Sequence, residues 1–166
     1  MLKIFRSFQD VNIGKLVAVY EQSNKEKGAT DYPNLPENLQ VLQAEQDMYA
    51  YLELFFKQPQ SFYAMWCSED AYLAALRVEP YDDGVILAGL ETKPAARGRG
   101  YAKNLVCAVL QYCSNMGIHK IYSHVDKENI PSLAVHKSCG FEQISDTAVY
   151  IDGSFISTSC TLCYES

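Results

Sequence analysis

The sequence predicts an α+β fold built on a mixed sheet, and three observations carry that reading. Strand-like and helix-like stretches follow one another in a mixed order along the chain. Between residues 85 and 113, an apolar run leads through a short Arg/Gly-rich loop into an amphipathic helical stretch, so one strand feeds directly into a helix. Near the C-terminus, two strand-like runs flank Asp152-Gly153, a hairpin signal and hence an antiparallel pair. The 166 residues are 48% hydrophobic, enough to bury one sizeable core. No repeat, low-complexity segment or linker divides them, so residues 1–166 read as a single domain.

Residues 2–8 read as the first strand, and residues 10–27 as a helix with Ile13, Leu16, Val17 and Tyr20 on its apolar stripe. Residues 28–36, with Gly28, Pro33 and Pro36, break that pattern and read as a loop. A second helix is expected over residues 39–57, rich in Tyr49, Tyr51, Leu52, Leu54, Phe55 and Phe56. Residues 61–67 and 71–79 are successive strands, and Tyr81-Asp-Asp-Gly84 turns the chain into the strand carrying Leu87 and Leu90. The next helix places Ala102, Leu105, Val106, Val109, Leu110 and Cys113 on one face at spacings of three and four, and Gly117 closes it. Residues 120–125 form a strand. A short helix follows, with Asn129 as N-cap, Pro131 in its first turn and Gly140 ending it. Residues 141–151 and 154–164 complete the chain as a hairpin.

The segment Leu90-Glu91-Thr92-Lys-Pro94-Ala-Ala-Arg97-Gly98-Arg99-Gly100-Tyr101-Ala102 is the most informative stretch. The first amides of a helix lack intrahelical partners, and the helix dipole adds partial positive charge at that end. Gly98 and Gly100 carry no side chain to hold an anion off the backbone, while Arg97 and Arg99 can add charge-assisted donors. A strand, such a loop and a helix together make an anion site. Arg-Gly pairs also occur in plain surface turns. There is no Gly-Lys-Ser/Thr ending and no Gly-x-Gly-x-x-Gly, which excludes the familiar nucleotide and dinucleotide loops.

Arg97-Gly-Arg-Gly100-Tyr-Ala102 resembles the Arg/Gln-x-x-Gly-x-Gly/Ala signature of the GCN5-related N-acetyltransferase (GNAT) family. Asn129-x-x-Ser132-x-x-x-His136-x-x-x-Gly140-Phe141 resembles the family's Asn-x-x-Ala-x-x-x-Tyr-x-x-x-Gly-Phe. The two motifs and the elements between them cover residues 85–142. The resemblance implies a GNAT-like (acyl-CoA N-acyltransferase) fold with a mostly antiparallel sheet flanked by helices. It also implies acetyl-CoA as acyl donor and direct attack of a primary amine on the thioester. The implied cofactor residues are Leu90 and Thr92 on the strand, Arg97, Gly98, Arg99, Gly100, Tyr101 and Ala102 in the loop, and Asn129 and Ser132 on the short helix. Read without the resemblance, Asn129, Ser132 and His136 form the solvated stripe of a short helix.

For the chemistry, His136 stands where the resemblance places a tyrosine that protonates the leaving sulfur. It is either that acid or a binding residue. Glu91 is the carboxylate best placed to be the general base, or else the partner of Lys93 or Arg97 in a salt bridge. His124 is the other candidate base, or a hydrogen-bonded structural histidine. The amine site is implied at residues 27–36 and 149–155, with Tyr32, Tyr63, Tyr72 and Tyr150 as candidate walls. The acceptor is a small-molecule or peptide amine whose identity stays open, and a homodimer through the C-terminal strands is a family-style expectation. The alternative is a catalytically inactive GNAT-fold protein that binds or senses acyl-CoA.

Composition narrows the partners. A net charge of −6 argues against nucleic acid, and no apolar run reaches membrane-spanning length. The N-terminal residues lack the apolar core of a secretion signal, so a cytoplasmic location and reduced thiols are expected. The six cysteines include one lone C-x-x-C, Cys160 to Cys163, within a strand, and His119, His124 and His136 show no ligand spacing, so no metal is implied.

Overall fold

The computed structural model describes residues 1–166. Strand β1 (Leu2–Phe5) leads through a 3-10 turn (Phe8–Asp10) into helices α1 (Ile13–Val17), α2 (Glu21–Asp31) and α3 (Glu37–Phe55). Strands β2 (Phe62–Cys67), β3 (Tyr72–Tyr81) and β4 (Gly84–Thr92) form a meander, followed by a 3-10 turn (Pro94–Ala96) and α4 (Tyr101–Asn115). Then come β5 (Lys120–Asp126), α5 (Ile130–Ser138), β6 (Glu142–Ser145), β7 (Ala148–Val149), β8 (Phe155–Ile156) and β9 (Ser159–Glu165). Seven strands make one sheet in the order β1-β2-β3-β4-β5-β9-β6. Only β4 and β5 run parallel; the other pairs are antiparallel.

Strand alternation divides the core into two layers. On β2, Phe62 and Ala64 face α4, whereas Tyr63, Met65 and Cys67 face α1 and α3. On β3, Ala74, Leu76 and Val78 join the α4 side, and Tyr72 and Ala75 the other. This is the period of two expected of a sheet covered on both faces. The α4 layer is sealed by Leu105, Val106, Val109 and Cys113, none of them accessible to solvent.

The structure corrects three expectations. The first strand stops at Phe5, because Ser7 caps the 3-10 turn by accepting a bond from Gln9 N at 3.3 Å. The helix expected over residues 10–27 breaks around the buried Val19 and Tyr20 and resumes as α2, which continues through Gly28 to Asp31. Gly28 is a contact point for helix packing: a Cβ there would lie 2.4 Å from the backbone oxygen of Gln40 on α3. The C-terminal hairpin is also interrupted. Ser145 and Thr147 turn the chain off the main sheet, and Asp152-Gly153 closes a separate two-stranded ribbon of β7 and β8.

Candidate functional site

The parallel ladder between β4 and β5 is short. It pairs Val85, Ile86 and Leu87 with Ile121, Tyr122 and Ser123, and beyond that point the strands part although both continue. On its other side β4 pairs with β3, but Glu91 opposes Ala75 while Ala88 opposes Arg77. Two residues of β4, Gly89 and Leu90, therefore face one residue of β3, which is a β-bulge. Gly89 adopts φ +60°, open to glycine at little cost. The bulge reverses the alternation: Val85, Leu87 and then Leu90 pack on the α4 core, while Glu91 turns to the α3 side. Two tyrosines brace it, with Tyr63 donating to Tyr20 at 3.0 Å and Tyr20 donating to the Gly89 carbonyl at 2.6 Å.

From this gap a groove of about 650 Å³ runs to the start of α4. Of the sequence-predicted cofactor residues, Leu90, Thr92, Arg97, Gly98, Gly100, Tyr101, Ala102, Asn129 and Ser132 line it, joined by Lys103, Pro131 and Val135. Gly98 and Gly100 take φ +74° and +76°, and the space beside each is open. Gly100 is the N-cap of α4 and offers no side-chain bond. The first amide of that turn to find a partner is Asn104 N, which donates to Gly100 O. The amides of residues 98–103 are thus unpartnered and form an anion nest at a helix N-terminus.

The two arginines behave differently from the sequence expectation. Arg97 does not reach outward: its Nε donates to Thr92 O at 3.2 Å, Nη1 to Gln22 Oε1 at 2.5 Å, and Nη2 lies 3.5 Å from Glu91 Oε2. It ties the loop to β4 and α2. Arg99 is exposed and lies outside the groove lining. The anion site is therefore mainly backbone, with Lys103 as the cationic side chain beside it.

Asn129 caps α5 by accepting from Ser132 N at 3.1 Å. Asn129, Ser132 and His136 line the smaller gap between the parted strands, about 170 Å³, with Gly89, Leu90, Ser123 and His124. His136 is buried. Its Nδ1 lies 2.8 Å from Ser132 O, an acceptor only, so Nδ1 carries the proton and Nε2 the lone pair. Nε2 has no partner, and burial lowers the pKa of the ring. The residue is a neutral imidazole with an acceptor at Nε2, which departs from a ready proton donor.

His124 is not a hydrogen-bonded structural histidine. Neither ring nitrogen has a partner, and the ring stands edge-on between Tyr81 and Tyr150, 5.4 and 5.0 Å away. Burial lowers its pKa too. Glu91 is half-buried, and burial raises its carboxyl above the usual range despite the opposing charge of Arg97. It lines both the groove and a second cavity, of about 560 Å³, on the α2–α3 side.

That second cavity lies where the amine site is expected, and its walls depart in part from the residues expected there. Lys27 lines it from helix α2, together with Tyr20, Asp47, Met48, Tyr51 and Arg77. A third cavity, beside it under Gly89, takes in Tyr150, Ile151 and Asp152. Of the candidate tyrosines, Tyr63 lines the second cavity and Tyr150 the third. Tyr72 instead packs in the core, its hydroxyl accepting from Asn12 N, and Tyr32 bonds to Asp47. Sequence reasoning missed Tyr20, Tyr51 and Arg77. The one signal was an arginine standing alone in the otherwise apolar run of residues 71–78.

All six cysteines are free, and Cys67, Cys113 and Cys160 are buried as small apolar residues. No group of three or more His, Cys, Asp or Glu is placed to hold a metal ion, and no helix is long and apolar enough to cross a membrane.

Residues 26–141 match the family described as "Acetyltransferase (GNAT) family". The aminoglycoside N(6')-acetyltransferase type 1 of Salmonella typhimurium is 36% identical over 66 residues, which are 40% of this chain and 46% of that protein. A mycothiol acetyltransferase of Saccharomonospora viridis is 33% identical over 61 residues, 37% of this chain and 20% of that one. The aligned stretch thus spans less than half the length of these curated relatives. The fold is similar to that of the PaiA N-acetyltransferase of Thermoplasma acidophilum, solved with coenzyme A. Their TM-score is 0.67 at 13% identity, over 100% of this chain and 99% of that one. The ribosomal-protein-S18-alanine N-acetyltransferase of Escherichia coli gives 0.63 at 12% identity over 99% and 94%. With the parted strands, the glycine-lined nest and the family match over residues 26–141, this chain belongs to the GNAT acetyltransferase family.

Proposed function

We propose that the protein is an N-acetyltransferase that moves the acetyl group of acetyl-CoA to a primary amine. The observation that carries this reading is the continuity of the groove and cavities. The groove that holds the amides of residues 98–103 shares Glu91 with the second cavity and Leu90 with the gap between the parted strands, and that gap shares Gly89 with the second cavity. The nest suits a pyrophosphate, and the β4 edge beyond Leu87, which β5 no longer covers, suits the amides of a pantetheine arm. Asn129 and Ser132 form the opposite wall.

When bound, acetyl-CoA supplies an activated acyl carbon. The chain's own task is to deliver a neutral amine to it and to manage protons. Glu91 is placed to take the ammonium proton, and its raised pKa makes it a stronger base than an exposed carboxylate. His124, neutral and without a partner, is the second candidate. A backbone amide at the bulge polarises the acyl oxygen. His136 acts as a neutral acceptor beside the reacting end, and the departing thiolate takes its proton from water or from the new amide nitrogen. We place the protein in the cytoplasm with reduced thiols. Pairing of two copies through the apolar side chains exposed on the ribbon, such as Ile151 and Phe155, is supported by their exposure alone.

The test is thiol release from acetyl-CoA with a panel of primary amines. Stoichiometric thiol and N-acetylated product support the reading. Binding of acetyl-CoA with no transfer to any amine would leave a cofactor-binding protein instead.

A further inference from the structure

Resting on the acetyltransferase reading, we propose that Arg77 is the anion anchor of the acceptor site, and that the acceptor is an amine bearing a carboxylate close by, of the α-amino acid class. Arg77 is the lone charged side chain in the apolar half of β3. It emerges on the α3 side and lines both amine-side cavities. Its guanidinium is fixed from three directions. Glu79 Oε1 accepts from Nε at 3.2 Å, the Tyr51 ring lies 4.8 Å from the guanidinium carbon, and Gly89 sits over the group. A Cβ at Gly89 would lie 3.4 to 3.5 Å from the guanidinium carbon and both Nη atoms, so the cation abuts the bulge where β4 and β5 part.

What remains free is the edge that matters. Nε is occupied by Glu79 and the Tyr63 hydroxyl is a further partner of the guanidinium, which leaves the Nη edge with donors to spare for a ligand. A guanidinium held flat by an aromatic ring, with its Nη edge open to a cavity, presents a fork for a carboxylate. The other cation of the cavity, Lys27, is already paired with Asp31, and Asp47 accepts from Tyr32. Arg77, held by Glu79 through Nε alone, and Glu91, in a long 3.5 Å contact with Arg97, each keep hydrogen-bonding capacity for a ligand, one for each end of a zwitterion, and both flank Gly89. A carboxylate on Arg77 brings an amine a few bonds away to the bulge and to Glu91. Ala44, Met48, Leu52 and Tyr20 supply apolar walls for a side chain. A polyamine would set a second positive charge against Arg77.

The experiment compares α-amino acids, their carboxamides and spermidine as acceptors, by kcat/KM in thiol release, with wild type, Arg77→Met and Arg77→Lys. Calorimetry of acetyl-CoA runs in parallel. The carboxamide's amine is less basic, so chemistry alone favours the amide. The proposal expects the reverse in wild type, with the amide poorer by on the order of 100-fold. Arg77→Met removes that discrimination through KM and leaves acetyl-CoA affinity unchanged, and Arg77→Lys restores part of it. Carboxamides or spermidine used as well as the acids, or discrimination that survives in Arg77→Met, overturns the proposal. Should Arg77→Met not fold, the wild-type comparison and Arg77→Lys decide. Acetyl-CoA binding with transfer to spermidine alone sinks this inference and leaves the acetyltransferase reading. Loss of acetyl-CoA binding in wild type sinks both.

Discussion

The α4–α5 side of the sheet and the α2–α3 side build their cavities by different means. On the first, the groove is made largely of main chain: unpartnered amides at residues 98–103 and a β4 edge that no strand covers. On the second, the cavity is made of side chains from separate elements, Tyr20, Tyr51, Arg77 and Glu91 among them. Backbone recognition demands left-handed glycines at fixed spacing, because only they keep the space beside the chain open. Side-chain recognition demands no spacing at all. The first leaves a mark in the sequence, and the second leaves almost none.

The strongest way to break this contrast is to fill the nest. Gly100→Glu puts a carboxylate, and a side chain in left-handed backbone, where a pyrophosphate would sit. Acetyl-CoA affinity should fall at least ~100-fold by calorimetry, with the circular dichroism spectrum unchanged. Retained affinity would mean that the nest is not the anion site.

The side-chain half should fail differently. Glu91→Gln should lower kcat by roughly 100-fold or more, the scale of general base catalysis, without altering acetyl-CoA affinity. If His124→Gln has that effect and Glu91→Gln does not, the base is the histidine.

A structural change confined to the amine side would sharpen the comparison. Gly28→Ala drives a Cβ against the α3 backbone at Gln40, and should cost about 1–3 kcal/mol in urea unfolding. The acceptor KM should rise, and acetyl-CoA affinity should hold.

The smallest effect is one of pH. Burial holds the folded-state pKa of His136 below its ordinary value of about 6.5. As pH falls through about 6.5, the unfolded chain takes up a proton that the folded chain refuses, so stability declines from there down through the lowered folded pKa. Thermal midpoints between pH 7.5 and 5 should fall less steeply in His136→Gln than in wild type. An identical slope would remove His136 from the acid response.

The same contrast explains what could be read from the sequence. The strand, loop and helix over residues 84–115 were legible because their backbone dictates glycine, an amphipathic stripe and a cap. The cap role of Asn129 followed from its place before Pro131, whereas Ser132 was marked as a groove residue only by the resemblance. Gly28 was misread as a loop signal because its role is a contact with α3, which no local pattern reveals. The bulge at Gly89 depends on the register against β3, so the turn of Glu91 to the amine side was invisible in β4 alone. Arg97 and Arg99 looked alike on the page, yet one is tied to Thr92, Gln22 and Glu91 and the other stands outside the groove.

The most direct test of the account is calorimetric titration of the purified protein with acetyl-CoA, CoA and ATP side by side. Binding of both CoA species with little for ATP is predicted, since the groove joins an anion nest to an uncovered strand edge, which the amides of a pantetheine arm can pair with and ATP cannot. No binding of either CoA species, or equal binding of ATP, would contradict the assignment of that groove.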